Sequence, residues 1–216
     1  MTILVATGLQ REGRILRGAG LRVVLGGGDH ARLAAELDQA APAARGIISI
    51  GIAGALAPGL RPGDWVVADA VDGMATDAAW AARLADAIGA ARGAIAGSDT
   101  MLADAAGKAA LHRATGALAV DMESHVAARA AVRHGLPFAA ARVISDAAAR
   151  SLPPAARVGM RPDGGMDLPA VLRSLLADPR QLPALIRTGL DAERAFRALL
   201  RGRHRLGPGL GGPMLG

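Results

Sequence analysis

Three carboxylates stand where apolar runs end near the middle of the chain. Ala119-Val120 runs into Asp121-Met122-Glu123-Ser124, and Arg142-Val143-Ile144 runs into Ser145-Asp146. Acids brought to one edge from neighbouring strands suit proton transfer and the stabilisation of developing positive charge. The runs read as the ends of buried strands. In α/β proteins, ligands bind at the carboxyl ends of parallel strands. Taken singly, each acid is better read as a helix cap, Asp121 and Glu123 for one helix and Asp146 for the next. The case for chemistry rests on their combination.

The elements that must position these acids alternate along the chain. Apolar segments at 3–6, 22–25, 47–50, 65–68, 117–120 and 138–144 read as strands. Ala-rich segments at 29–40, 76–87, 103–113 and 122–134 read as helices. This alternation argues an α/β domain with a mainly parallel sheet. The length of 216 residues suits one domain with a sizeable core. Pro153-Pro154 and the stretch 159–165 form a loop before basic C-terminal helices within 167–206, and Asp167 and Asp178-Pro179 look like helix starts. The Gly/Pro-rich stretch 207–216 reads as a flexible tail.

Composition narrows the function classes. A mean hydropathy of +0.29 sets the chain apart from disordered sequences. With no cysteine there is no disulfide and no thiolate metal site, which suits a cytoplasmic protein. The charge is uneven: from Arg173 onward eight arginines face three acids, while residues 1–172 are almost neutral. A nucleic-acid partner is therefore not expected.

Other motifs have modest readings. Gly26-Gly27-Gly28-Asp29-His30-Ala31 loosely fits a dinucleotide turn, but the following strand ends Ile48-Ser49-Ile50-Gly51 without the acid that a ribose would need. A glycine turn able to meet an anion stays open. Gly51-Ile52-Ala53-Gly54 reads as a tight turn. The five histidines stand far apart in sequence, so no metal site is expected. Apolar residues at 182, 185, 186, 190, 196, 199 and 200 are spaced as one helical face packed on the body. Contact of that basic helix with an anionic membrane surface stays open.

Taken together, these motifs resemble the purine nucleoside phosphorylase and nucleosidase superfamily, including the methylthioadenosine/S-adenosylhomocysteine nucleosidases. The resemblance runs from Met1 to about Ala148. It rests on Glu12 after the first strand, Gly51–Gly54, Gly63-Asp64-Trp65-Val66-Val67, Gly97-Ser98-Asp99, Val120–Ser124 and Arg142–Asp146. The short length, Arg-rich C-terminal helices and missing first hairpin look most like the hopanoid-biosynthesis-associated phosphorylase. The resemblance implies a single three-layer α/β domain with a mainly parallel, mixed sheet flanked by helices. It implies an enzyme that cleaves the N-ribosidic bond of a 5′-modified adenosine, adenosylhopane in that subfamily, and releases adenine. Methylthioadenosine or S-adenosylhomocysteine hydrolysis is the alternative, and a non-catalytic nucleoside-binding protein a further one.

Roles follow by the same resemblance. Asp146 would protonate the purine at N7, oriented by Ser145. Glu123 would hold the ribose hydroxyls over a Met122 floor, and Met101 would stand where nucleosidases place a phenylalanine against the purine. Glu12 would hold the attacking water, and Gly51, Ile52, Ala53 and Gly54 would offer amides near the nucleophile. Gly27, Gly28 and Arg11 could instead serve phosphate as co-substrate. No other cofactor is implied, and a homo-oligomer is expected.

Overall fold

The structure, a computed structural model, describes residues 2–158, 161 and 164–213. Its strands are β1 (Thr2–Thr7), β2 (Leu21–Leu25), β3 (Ala44–Ala55), β4 (Trp65–Val71), β5 (Met74–Ala75), β6 (Ala91–Gly97), β7 (Ala119–Asp121) and β8 (Phe138–Asp146). Its helices are α1 (Gln10–Leu16), α2 (His30–Ala40), α3 (Ala78–Ile88), α4 (Ala105–Thr115), α5 (Ser124–His134), α6 (Pro154–Arg157), α7 (Leu168–Ala177) and α8 (Leu182–Leu206). Local chemistry sets many of these bounds. Asp29, Asp77 and Asp104 each accept a backbone N–H of the first turn of α2, α3 and α4. Gly116 and Gly135 end α4 and α5 in the left-handed conformation that a side chain would disfavour.

The sheet is mixed and mainly parallel. Strands β2, β1, β3 and β8 run side by side in parallel. β8 then meets β4 antiparallel, β4 and β6 pair in parallel, and so do β6 and β7. The long β3 closes a ring, because its last residues, Gly54 and Ala55, pair antiparallel with β7. One face is covered by α2 and α5 with Leu33, Leu37 and Val126 in its core. The other is covered by α3 and α8, with Trp80, Leu84 and Leu199. This is a single three-layer α/β domain.

Closing the ring brings the ends of β3, β6, β7 and β8 together, and one irregularity there matters. Ala53 pairs with Ile144 but Gly54 pairs with Asp146, so β8 carries an extra residue at Ser145. Successive strand residues normally face opposite sides. A bulge re-aims them, and here Ser145 Oγ lies 2.7 Å from Asp146 Oδ1.

Three expectations need correction. Gly51–Gly54 is the body of β3 rather than a turn, held by β8 along one side. Two further elements lie outside the segments read as strands and helices: the stretch with Glu12 is a helix, α1, and 91–97 is a strand that its glycines and arginine disguise. In α8 the buried face is Asp191, Ala195, Phe196, Ala198, Leu199, Gly202 and Leu206, which keeps Phe196 and Leu199 of the expected stripe, while Leu182, Ile186, Leu190 and Leu200 are exposed. Finally, the described part of the tail is packed: Leu210 is buried, and its carbonyl accepts from the Trp80 indole at 2.9 Å. Residues 214–216, and most of the loop expected at 159–165, lie outside the described residues.

Candidate active site

β1 delivers the chain to a turn at Gly8-Leu9, and α1 brings Glu12 back over that turn. Its Oε2 accepts from Thr7 Oγ1 at 2.6 Å, Gly8 N at 3.0 Å and Leu9 N at 2.7 Å. Its Oε1 accepts from Ile52 N at 2.7 Å. Three donors crowd Oε2, whereas Oε1 carries one bond of the two that its lone pairs can accept. One acceptor position of Oε1 is therefore left. The Ile52 amide, expected to face the nucleophile directly, is instead spent on holding Glu12.

Arg142 lies opposite Gly51 in the β3–β8 pairing and is fully buried. A guanidinium in an otherwise apolar strand must find partners. Its Nε donates to Asp121 Oδ2 at 2.9 Å, and its Nη2 donates to Ser49 Oγ at 2.5 Å and Ser124 Oγ at 3.1 Å. Nη2 is also 3.6 Å from Glu123 Oε2. Burial works against the charge of Arg142, but Asp121, Glu123 and Glu12 outweigh it and hold the group above the usual arginine value. Asp121 further accepts the backbone N–H groups of Glu123 and Ser124 at 2.7 and 2.6 Å. It is thus a structural neighbour that fixes the entry to α5. Burial pushes the Glu123 carboxyl up to about 8; Arg142 opposes this, while the charges of Asp121 and Glu12 add to it.

Three glycines make room for this cluster. A Cβ on Gly8 would meet Glu123 Oε1 at 2.5 Å, and one on Gly26 would meet Glu123 Cγ at 3.0 Å. A Cβ on Gly51 would stand 2.5 Å from Glu12 Oε1 and 2.7 Å from Arg142 Nη1. That Nη1 is buried without a hydrogen-bond partner among the described residues. A free donor and a free acceptor position therefore flank Gly51.

Asp146 lies on the adjoining strand end with a partner the sequence reading missed. The Lys108 ammonium contacts its Oδ2, and also donates to Arg150 O at 2.9 Å and Ala147 O at 3.3 Å. Lys108 is fully buried. A signal was available: the chain has 25 basic residues of which Lys108 is the single lysine. Ser145 Oγ touches both Asp146 Oδ1 and Ala53 O, the latter at 3.1 Å. A hydroxyl has one proton, so Ser145 can donate to an ionised Asp146, or accept from a protonated one while donating to Ala53 O.

The remaining candidates lie farther from this centre. Met122 is half-buried between Asp121 and Glu123, and Met101 is exposed on the loop after β6. Gly27 N donates to Gly8 O, so the glycine turn is tied to the turn before Glu12. Arg11 is a correction: its guanidinium pairs with Glu193 at 2.6 Å and lies 4.2 Å over the Phe196 ring, so α8 occupies it.

The histidines also need correction, since folding brings two of them to one acid. His30 Nδ1 and His125 Nε2 stand 3.5 and 3.0 Å from Asp99 Oδ1. Their ligand atoms lie within 4.8 Å of one another. His30 Nε2 and His125 Nδ1 are buried without partners among the described residues. A metal on the first pair of nitrogens would leave a buried, unpaired N–H on the second pair. Neutral rings with their protons toward Asp99 leave only a lone pair there, which costs less. The cluster fits hydrogen-bonded histidines better than metal ligands.

The fold is the three-layer α/β fold of the nucleoside phosphorylases and nucleosidases. Residues 71–177 match the profile of the Phosphorylase superfamily, just under half of the chain. The matched stretch holds Lys108, Asp121, Glu123, Arg142 and Asp146. No curated protein matches the chain. Among solved structures, S-adenosylhomocysteine nucleosidase from Streptococcus pyogenes, with 5-methylthiotubericidin, is 20% identical with a TM-score of 0.64, over 96% of this chain and 98% of that one. The 5′-methylthioadenosine/S-adenosylhomocysteine nucleosidase from Neisseria meningitidis, with methylthio-immucillin-A, is 19% identical with a TM-score of 0.65, over 94% and 97%. The Helicobacter pylori enzyme is 16% identical with a TM-score of 0.65, over 95% and 96%.

Proposed function

We propose that the protein hydrolyses the N-ribosidic bond of a 5′-modified adenosine and releases adenine. The observation that carries this is the pairing of a free donor, Arg142 Nη1, with a free acceptor position, Glu12 Oε1, on either side of Gly51. Those two groups would hold a water, with Glu123 beside them for the ribose hydroxyls and Asp146 on the adjoining strand for the base. As the C1′–N9 bond breaks, its electron pair goes to N9 and Asp146 supplies a proton to N7. Lys108 returns a proton to Asp146, because an ammonium–carboxylate pair and an amine–carboxylic acid pair differ only in where one proton sits. The water bonds to C1′ and passes its proton to Glu12. The surplus of carboxylates on the sugar side favours the cationic transition state.

Water is preferred to phosphate as acceptor because Arg11 is engaged by Glu193 and Phe196. Adenosylhopane is the proposed substrate, from the resemblance of the Arg-rich C-terminal helices; methylthioadenosine and S-adenosylhomocysteine are the alternatives. The test is to give the purified protein each nucleoside with and without phosphate and to identify free adenine and the sugar product. Free ribose derivative without phosphate is expected. A sugar 1-phosphate overturns the acceptor, and no adenine from any of the three overturns the reaction.

A further inference from the structure

Two consecutive helices carry apolar side chains that none of the described residues covers. α7 buries none of its residues, and Leu168, Leu172 and Leu176, one turn apart, are 58%, 59% and 82% exposed. On α8, Leu182, Ile186 and Leu190 repeat the pattern on the side away from the core. Exposed apolar stripes of this kind mark interaction sites. Leu190 also lines a cleft of about 550 Å³ whose other walls include Arg61, Arg150, Arg187 and Arg194. The one acid there, Asp191, is buried and bonded to Arg194 at 2.5 Å.

We infer that this face seats the protein on an anionic phospholipid bilayer, with the leucines entering the acyl boundary and the arginine cleft taking lipid phosphates. Charge decides between occupants. Arg61, Arg150, Arg173, Arg180 and Arg187 form no ion pair with an acid among the described residues. A second copy meeting this face in a symmetric pair would set those cations against their equivalents. An anionic bilayer offers both an apolar layer and neutralising phosphates. No described helix is long and apolar enough to cross a membrane, so the contact lies on the surface. The face also adjoins the site: Gly164, in the loop leading to α7, accepts from the N–H of Gln10 at 3.1 Å, at the start of the helix that carries Glu12. This inference does not depend on the reaction proposed above.

The test is sedimentation of the full chain with phosphatidylglycerol-containing vesicles and with pure phosphatidylcholine vesicles, at low and raised salt. Binding only to the anionic vesicles, weakening with salt, is expected. Neutralising two charges, Arg61→Gln with Arg187→Gln, should cut partitioning by roughly twenty-fivefold, at about fivefold per arginine. Ile186→Asp should weaken binding with the melting temperature unchanged, since that side chain is exposed. Equal sedimentation with both vesicle types, or variants that bind like the wild type, overturns the inference. So does inorganic phosphate that titrates into the cleft by calorimetry without any vesicle binding. So, too, does Ile186→Asp turning an oligomer into a monomer by light scattering while vesicle binding stays intact.

Discussion

Of the two regions that the proposed reaction assigns to sugar and base, the sugar side has three carboxylates, Glu12, Asp121 and Glu123, around one guanidinium, Arg142. On the base side, a single carboxylate, Asp146, meets a single ammonium, Lys108. Both groups are buried, so neither can lean on water for its charge. The sugar side is overloaded with negative charge: burial raises the Glu123 carboxyl to about 8, and the charges of Asp121 and Glu12 add to the rise. The base side is balanced and holds one proton that can move without changing its net charge. The contrast matches the two demands of ribosyl transfer: a surplus of negative charge for a cationic sugar, and a proton for a poor leaving group.

Breaking the overloaded side should cost the most. Arg142→Met removes the one cation from three buried acids. Loss of one partner from a buried pair typically destabilises by about 3–5 kcal/mol. A clear fall in the denaturation midpoint is expected. A change below about 1 kcal/mol, the scale of an exposed pair, would show that the network does not depend on its guanidinium.

The balanced side should lose rate rather than fold. Asp146→Asn keeps the shape and removes the acid, so adenine release should fall about a thousandfold, within the usual range of general acid catalysis. Near-normal turnover would reassign the acid. Lys108→Met should slow adenine release by about a hundredfold but leave cleavage of a p-nitrophenyl riboside, whose leaving group needs no proton, within a few-fold of wild type. Equal losses on both substrates would make Lys108 a packing residue, and recovery in Lys108→Arg would separate charge from shape.

The same contrast explains what could be read from the sequence. Asp146 and Glu123 were legible because each follows an apolar run, and strand periodicity places such residues at the sheet edge. Asp121 could be recognised as a structural neighbour because capping acids sit just before a helix. Lys108 was hidden: it lies on α4, 38 positions from Asp146, and only the ring closure brings them together. Arg142 stood inside a quoted motif, yet its role depends on Ser49 and Asp121 from two other strands. The outer stripe of α8 was misassigned for a different reason. Spacing shows that leucines share a face, but Asp191, Ala195 and Gly202 form the buried one, and small or polar residues give no hydrophobic signal.

The variant expected to differ least from wild type near pH 5, Glu123→Gln, is the most direct probe of the proton on Glu123. Its carboxyl moves from an ordinary 4.5 to about 8 in the folded chain. Below about pH 4.5 folded and unfolded chains both carry the proton, and its contribution to stability is fully present. As the pH rises toward 8 the unfolded chain gives up the proton first, so the folded state binds more protons and stability falls with pH. The loss is on the order of a few kcal/mol across that window. Glu123→Gln cannot titrate there, so its stability should lack this slope while nearly matching wild type at about pH 5, where the glutamate is already neutral. Denaturation curves from about pH 5 to 9 for the two proteins measure the difference. A wild-type profile as flat as that of the variant would move the shared proton away from Glu123. The sugar side would then have to hold all three of its carboxylates charged around Arg142, and the contrast with the balanced pair at Asp146 would become one of charge alone.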